Sequence, residues 1–224
     1  MNHGEPLDSF LRSLSQQVST RQRITPLPGP AEIDAGIRQI DAKADLPARF
    51  IAAANDSGAR TTRTSSENLR GALLDLLRNA GLRSLLITSS LDCLAKSRQQ
   101  LEAEFALAGI QIRHTHDEQT LFSVDATVTG VVAGIAETGS ILVTTGPDVT
   151  RGESLYSPVH IALTPRSKIV ADLADATALL AVCLPRSSNA TLITGPSKTA
   201  DIEGVLVTGV HGPGVLYIVV IDDQ

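Results

Sequence analysis

Glu137 is a lone carboxylate in an otherwise apolar run, VVAGIAETGSILVTTG (131–146). Moving a charge into a low-dielectric interior without a partner is costly. Glu137 must therefore be hydrogen-bonded, paired, protonated or set at a strand end facing a cleft. Desolvation favours the protonated form of a carboxylic acid, which suits a general base or a nucleophile. Thr138, Gly139 and Ser140 supply hydroxyl and main-chain donors beside it. A structural alternative stands on equal terms: Glu137 holds a glycine turn through its own hydrogen bonds.

Two glycine-bearing loops are the next candidates. ITGPSKTADIEG (193–204) reads as a short strand entering Gly195-Pro196 and then the start of a helical turn. Free N–H groups at a helix N-terminus attract anions, and Ser197, Lys198 and Thr199 would reinforce them around a small carboxylate or phosphate. It is not a nucleotide-triphosphate loop, because Ser197 and Leu192 occupy the positions where that motif needs glycine. The plainer alternative is a capped strand–helix turn with Asp201 and Glu203 paired near it. GVHGPG (209–214) then holds His211 on a tight turn before the apolar strand LYIVVI (216–221). A single histidine is often structural, and its closeness to the anion-type loop raises its standing.

In RGESLYSPVHIAL (151–163), Arg151 can fork onto a carboxylate or phosphate. His160, at a strand start after Pro158, reads as satisfying a backbone carbonyl. His114 and His116 share a strand face by alternation, but no third ligand accompanies them, so no metal site is expected.

Composition excludes several classes. The 224 residues carry a net charge of −5, which disfavours nucleic-acid wrapping and polybasic membrane binding. Trp is absent and aromatics make up 3%, which disfavours a base-stacking platform, and the core must be aliphatic. Cys93 and Cys183 lie far apart with no CxxC pair, which excludes a zinc thiolate site or an iron–sulfur cluster held by this chain alone. No cofactor is expected. The start MNHGEPLDSF lacks a basic, apolar leader, and the longest apolar runs (178–184 and 216–221) fall far short of a span of about 18 residues. A soluble cytoplasmic protein with reduced thiols, touching neither nucleic acid nor membrane, is the expectation.

The elements that must position these residues follow from periodicity. Leu7, Phe10, Leu11, Leu14 and Val18 mark an amphipathic helix over 7–18, ending before TPLPGP (25–30). Residues 1–30 thus read as a helical arm and proline-rich linker. The arm packs on its own domain in the first reading and contacts a partner or a second copy in the other, which leaves a homo-oligomer open. Residues 31–55 are helical with a break at Pro47. A strand at 59–64, a helix with Leu69, Leu73, Leu76 and Leu77 closed by Gly81, a strand at 84–88, a helix capped by Asp92 and closed by Gly109, and a strand at Ile110–Ile112 follow at the spacing of right-handed parallel crossovers. Further strands are expected at 140–145, 159–164, 190–194 and 215–221. A helix near 171–183 intervenes, with Leu173, Ala176, Leu180 and Cys183 on one core-facing side. One α/β domain over 31–224 is expected.

In this order, AETGSILV (136–143), Arg151 with SLYSPVHI (154–161), ITGPSKTADIE (193–203) and GVHGP (209–213) resemble the LUD-domain family, over roughly residues 60–222. The resemblance implies a three-layer α/β/α fold with a Rossmann-like sheet, similar to the NagB/RpiA/CoA-transferase superfamily. It also implies a role in oxidising L-lactate to pyruvate beside iron–sulfur partner proteins, through which electrons would move. By superfamily analogy, a Glu at a strand end beside glycine-rich anion loops acts as base or acyl-accepting nucleophile, and Glu137 matches that place.

Three functions follow. The first is a non-cluster subunit of a lactate-oxidising system, binding a small carboxylate or phosphate through Arg151, Lys198 and the 195–199 main chain. The second is a stand-alone isomerase, transferase or cyclo-ligase using Glu137. The third is a ligand-sensing module without catalysis.

Overall fold

The computed structural model describes residues 44–88, 98–113, 117–146, 149–184, 187–200 and 206–224, with positions 9, 12, 13, 40, 41 and 91. The chain divides into two compact units, Met1–Asp34 and Ala35–Gln224. In the first, Ser9, Arg12 and Ser13 are helical. The rest of the expected helix at 7–18 and the linker at 25–30 lie outside the described residues, as do Asp92, His114, His116, Asp201 and Glu203.

The second unit is built on a six-stranded, all-parallel sheet in the order β1-β12-β7-β4-β2-β3. Its strands are β1 (Arg60–Thr64), β2 (Ser84–Ile87), β3 (Gln111–Arg113), β4 (Ala126–Gly130), β7 (Val159–Pro165) and β12 (Val215–Ile221). Ala126, Val159 and Val215 stand in register across its middle. Parallel sheets are covered on both faces, so their strands read as near-continuous apolar runs. Every residue of β7 is buried. Ile161 and Leu163 join a cluster on one face with Val219 and Ile221, while Ala162 turns to the other with Ile218 and Val220.

Helices α2 (Leu69–Asn79) and α3 (Arg98–Leu107) cover the first face. Leu69, Leu73 and Leu77 repeat every fourth residue, lie at 0–1% exposure and meet Leu101, Phe105, Leu85 and Ile87. Each buried leucine contributes about 2 kcal/mol of hydrophobic transfer. Gly81 closes α2 at φ +68°, the left-handed cap its place in the sequence predicts.

The other face carries α1 (Leu46–Asp56), whose Phe50 and Ala54 are fully buried, and a four-stranded sheet in the order β8-β5-β6-β9. That sheet comprises β5 (Ala133–Ile135), β6 (Ser140–Thr144), β8 (Ile169–Val170) and β9 (Ala190–Ile193). β5 and β6 form an antiparallel hairpin. The two coverings enclose the parallel sheet in a layered α/β architecture, in keeping with the expected fold. Short α4 (Glu118–Ser123) precedes β4, and α5 (Leu173–Cys183) follows β8.

The break expected at Pro47 falls at the start of α1, where the Asp45 side chain accepts from the Ala48 amide at 3.3 Å; residues 31–39 of the expected helical stretch lie outside the described residues. Proline suits a first turn because its missing N–H would have had no intrahelical partner. On α5 only Ala176 is buried. Cys183 is half-buried and Leu173 is 46% exposed, so this side is not a core face. Lys198–Ala200 do not begin a helix but form β10, antiparallel to β11 (Leu206–Thr208).

Candidate functional site

Helix α1 ends against both glycine motifs. Gly139, in the β5–β6 turn, adopts φ +67°, and a Cβ there would lie 2.1 Å from the Ala54 amide nitrogen. Gly195 adopts φ +68°, and a Cβ there would lie 2.2 Å from the Ser57 carbonyl oxygen. Only glycine permits both the left-handed conformation and the close approach. A run of hydroxyls ties the turns together: Thr138 Oγ1 to Ser140 Oγ at 2.6 Å, and Ser140 Oγ to Thr194 Oγ1 at 2.7 Å.

The TGPSK turn is joined in addition to the histidine loop. The Ser197 amide donates to the Pro213 carbonyl at 2.9 Å, and the Gly209 amide donates to the Ser197 carbonyl at 3.0 Å. The Ser197 N–H is therefore already engaged. The free-amide nest expected from a helical start is replaced by a strand and its cross-loop bonds.

Between these loops and the central sheet lies a cavity of about 260 Å³. Gly195, Ser197, His211 and Leu216 line it together with His160. It sits at the amino ends of β7 and β12, whereas ligands in open α/β sheets usually lie beyond the carboxyl ends. Of the residues singled out from sequence, Gly195, Ser197 and His211 meet here. Arg151 is exposed and lines a smaller adjoining groove with Thr129, Thr150 and Glu153; Ser154 and Thr191 border both. Lys198 points its ammonium to the Ser57 carbonyl at 3.4 Å, and Thr199 sits in β10.

Glu137 is half-buried in the β5–β6 turn and does not line the cavity. Its amide donates to the Ala171 carbonyl at 2.9 Å. Its carboxylate makes no hydrogen bond or ion pair among the described residues. Holding its own turn through side-chain bonds is therefore not its role.

Two groups carry more than the sequence reading gave them. His160 is fully buried and bonds Thr129 Oγ1 through Nε2 at 2.8 Å, not a backbone carbonyl. Its Nδ1 has no hydrogen-bond partner. Burial pushes its pKa down to about 4, so the ring is neutral at physiological pH. Alternation along β7 held the signal: His160 shares a strand face with Ala162, on a strand covered on both sides. Glu153 is 1% exposed and accepts from the Thr150 amide at 2.9 Å. The Thr150-x-x-Glu153 spacing is that of a capping box. Among the described residues no three His, Cys, Asp or Glu side chains could hold a metal. No helix among them is long and apolar enough to cross a membrane.

The fold and motifs have clear relatives. A crystal structure of a DUF162 family protein from Deinococcus radiodurans superimposes with a TM-score of 0.60 at 23% identity, covering 82% of this chain and 100% of that one. That likeness bears on the fold. Over 211 residues the chain is 28% identical to lactate utilization protein C of Deinococcus radiodurans, covering 91% of this chain and 88% of that protein. Over 96 residues it is 39% identical to lactate utilization protein C of Bacillus subtilis, covering 40% of this chain and 39% of that protein. The matched stretch thus spans about two-fifths of the Bacillus relative. Residues 47–221 match the LUD domain, and the chain belongs to the LUD-domain family.

Proposed function

We propose that this protein is a component of a lactate-utilisation system. It serves the oxidation of L-lactate to pyruvate as a subunit without a cluster, beside iron–sulfur partner proteins that carry the electrons. The observation that carries this reading is the alignment, over 91% of the chain, with a protein named lactate utilization protein C. The cysteine content supports the division of labour, since Cys93 and Cys183 are too few and too scattered to hold a cluster.

The ligand on this reading is a small carboxylate or phosphate. Arg151 is its main contact, because Arg151 is exposed and lines a groove with Thr129 and Thr150. Lys198 contributes less, since its ammonium already meets the Ser57 carbonyl.

Deletion of the gene tests the proposal. Growth on L-lactate is lost and returns with the wild-type gene, and the protein co-purifies with cluster-bearing partners. Undiminished growth of the deletion strain on L-lactate overturns it. In the complemented strain, Arg151→Gln weakens growth at limiting lactate if the anion contact is correctly placed.

A further inference from the structure

We infer that the Arg151 groove and the cavity beside it are the two ends of one cleft, and that this cleft takes a carboxylic acid with an extended apolar body, much larger than lactate. The inference rests on the Arg151 contact proposed above and names the class of ligand for that site.

The first ground is continuity. Three walls run from the groove into the cavity. Residues 151–155 form one: Arg151 lines the groove, Ser154 borders both spaces and Leu155 lines the cavity. Residues 189–193 form the second, with Asn189 in the groove, Thr191 at both and Ile193 in the cavity. Thr191 and Ile193 lie two apart on β9, so they share one face of that strand. The third wall is the central sheet. His160 stands in register with Leu216 on β12 and with Thr127 on β4, and Thr129 follows Thr127 on the same face. Thr129 lines the groove while His160 and Leu216 line the cavity, and Thr129 Oγ1 meets His160 Nε2 at 2.8 Å. The two floors are therefore one hydrogen bond apart.

The second ground is the change of chemistry along the cleft. The groove end is polar, with Thr129, Thr144, Thr150 and Asn189 around Arg151. Glu153 borders it too, but it is 1% exposed and its Oε1 accepts from the Thr150 amide at 2.9 Å, so it offers almost no carboxylate surface to an incoming anion. The other end is apolar, walled by Leu155, Ile193, Pro196 and Leu216. Its histidines leave that character intact. His160 is fully buried and neutral near pH 7. His211 is exposed and also lines the wide groove beyond, beside Phe122 and Tyr156, so it marks the outer end of the cavity. There it meets the tip of a bound molecule rather than its middle. An acid laid along the cleft keeps its charge at the polar end beside Arg151 and withdraws only apolar surface from water at the other.

The third ground is size. The groove, at about 30 Å³, takes roughly two or three water-sized groups, enough for a carboxylate and short of the four oxygens of a phosphate. The cavity, at about 260 Å³, exceeds the about 150 Å³ that holds benzene.

Calorimetric titration of the full chain with acetate, hydrocinnamate and hydrocinnamide tests the inference. Hydrocinnamate should bind at least about tenfold tighter than acetate, since burying even two methylene equivalents is worth that much. It should also bind at least about tenfold tighter than hydrocinnamide, which has the same body but brings no charge to Arg151. Arg151→Gln should erase the preference for acid over amide. Ile193→Phe fills the apolar end and should bring hydrocinnamate down to the level of acetate; if that variant does not fold, the wild-type and Arg151→Gln comparisons decide alone. Equal affinities for acetate and hydrocinnamate, both weakened by Arg151→Gln, overturn the long cleft and leave the Arg151 contact standing, as does a tail advantage that survives Ile193→Phe. Amide binding as tight as that of the acid, or an acid preference that survives Arg151→Gln, overturns both. No hydrocinnamate binding at millimolar concentration overturns both as well. The lactate role is decided separately, by the deletion strain.

Discussion

Gly195 lies so close to Ser57 that a Cβ on the glycine would stand 2.2 Å from the serine carbonyl oxygen. The same helix end receives Gly139, from a turn more than fifty residues earlier in the chain. One rigid helix terminus thus sets the position of both loops, and the TGPSK turn passes that placement to His211 through its bonds with 209–213.

Gly195→Ala and Gly81→Ala separate backbone conformation from contact. Both glycines adopt φ +68°, but a Cβ at Gly81 meets nothing within 4 Å. Gly81→Ala should destabilise by about 1 kcal/mol, the cost of the left-handed conformation alone. Gly195→Ala should lose at least 2 kcal/mol, roughly, because the Ser57 carbonyl must also move. Urea unfolding of the two variants measures the gap, and equal losses would remove the close approach as its cause.

His160 makes stability depend on pH. Its folded pKa is lowered from 6.5 to about 4, so between those values the unfolded chain binds a proton that the native chain refuses. Stability is full above about 6.5 and falls as pH drops towards 4, by a total on the order of 3 kcal/mol. His160→Phe should flatten the stability curve in that window. A separate acid loss begins lower. Burial raises the Asp125 pKa, but bonds from the Arg83 and Ser84 amides and the Ser84 hydroxyl outweigh it and hold the carboxyl below its ordinary value of 3.8. Asp125 therefore stabilises the fold above that value and ceases to do so below it. Denaturant titrations at a series of pH values resolve the two windows.

Glu137→Gln should leave thermal stability unchanged, because the carboxylate has no partner among the described residues to lose. If the residue acts on a ligand, the variant should instead lower growth on L-lactate. A drop in melting temperature with normal growth would make Glu137 a structural residue after all.

Leu73→Ala should cost about 2–5 kcal/mol, since Leu73 is 1% exposed within the α2 stripe. Leu107→Ala, at a position 90% exposed, should change stability by less than about 0.5 kcal/mol. Chevron or equilibrium denaturation of the pair checks which side of each helix faces the sheet.

The first half of the fold was legible because its periodicities are long and its stops are glycines. The α2 stripe from Leu69 to Leu77 and the cap at Gly81 are unambiguous in the residues alone. The region after β4 was harder to read. β5 has three residues and β10 three, too short for a period to emerge. The TGPSKT stretch has the composition of a helix start, but pairing with β11 decides its conformation. The convergence of Gly195, Ser197 and His211 was within reach of sequence, since the first two are two residues apart and the third follows one hairpin later. His160 was missed for a different reason. Whether a histidine on a strand finds a carbonyl, a hydroxyl or nothing depends on its neighbour across the sheet, and the chain does not reveal that neighbour until β4 and β7 are paired.

The position of β12 has a consequence for how the molecule is made. β12, which follows the other five strands of the sheet in sequence, lies between β1 and β7, inside the sheet rather than at its rim. During synthesis β1 emerges early and waits, its hydrogen-bonding edge open, until residues 215–221 leave the ribosome and slot beside it. The parallel sheet therefore closes only after β12 has followed β7 out of the ribosome. A nascent chain stalled just short of that point would show the apolar flank of β7 to any chaperone within reach.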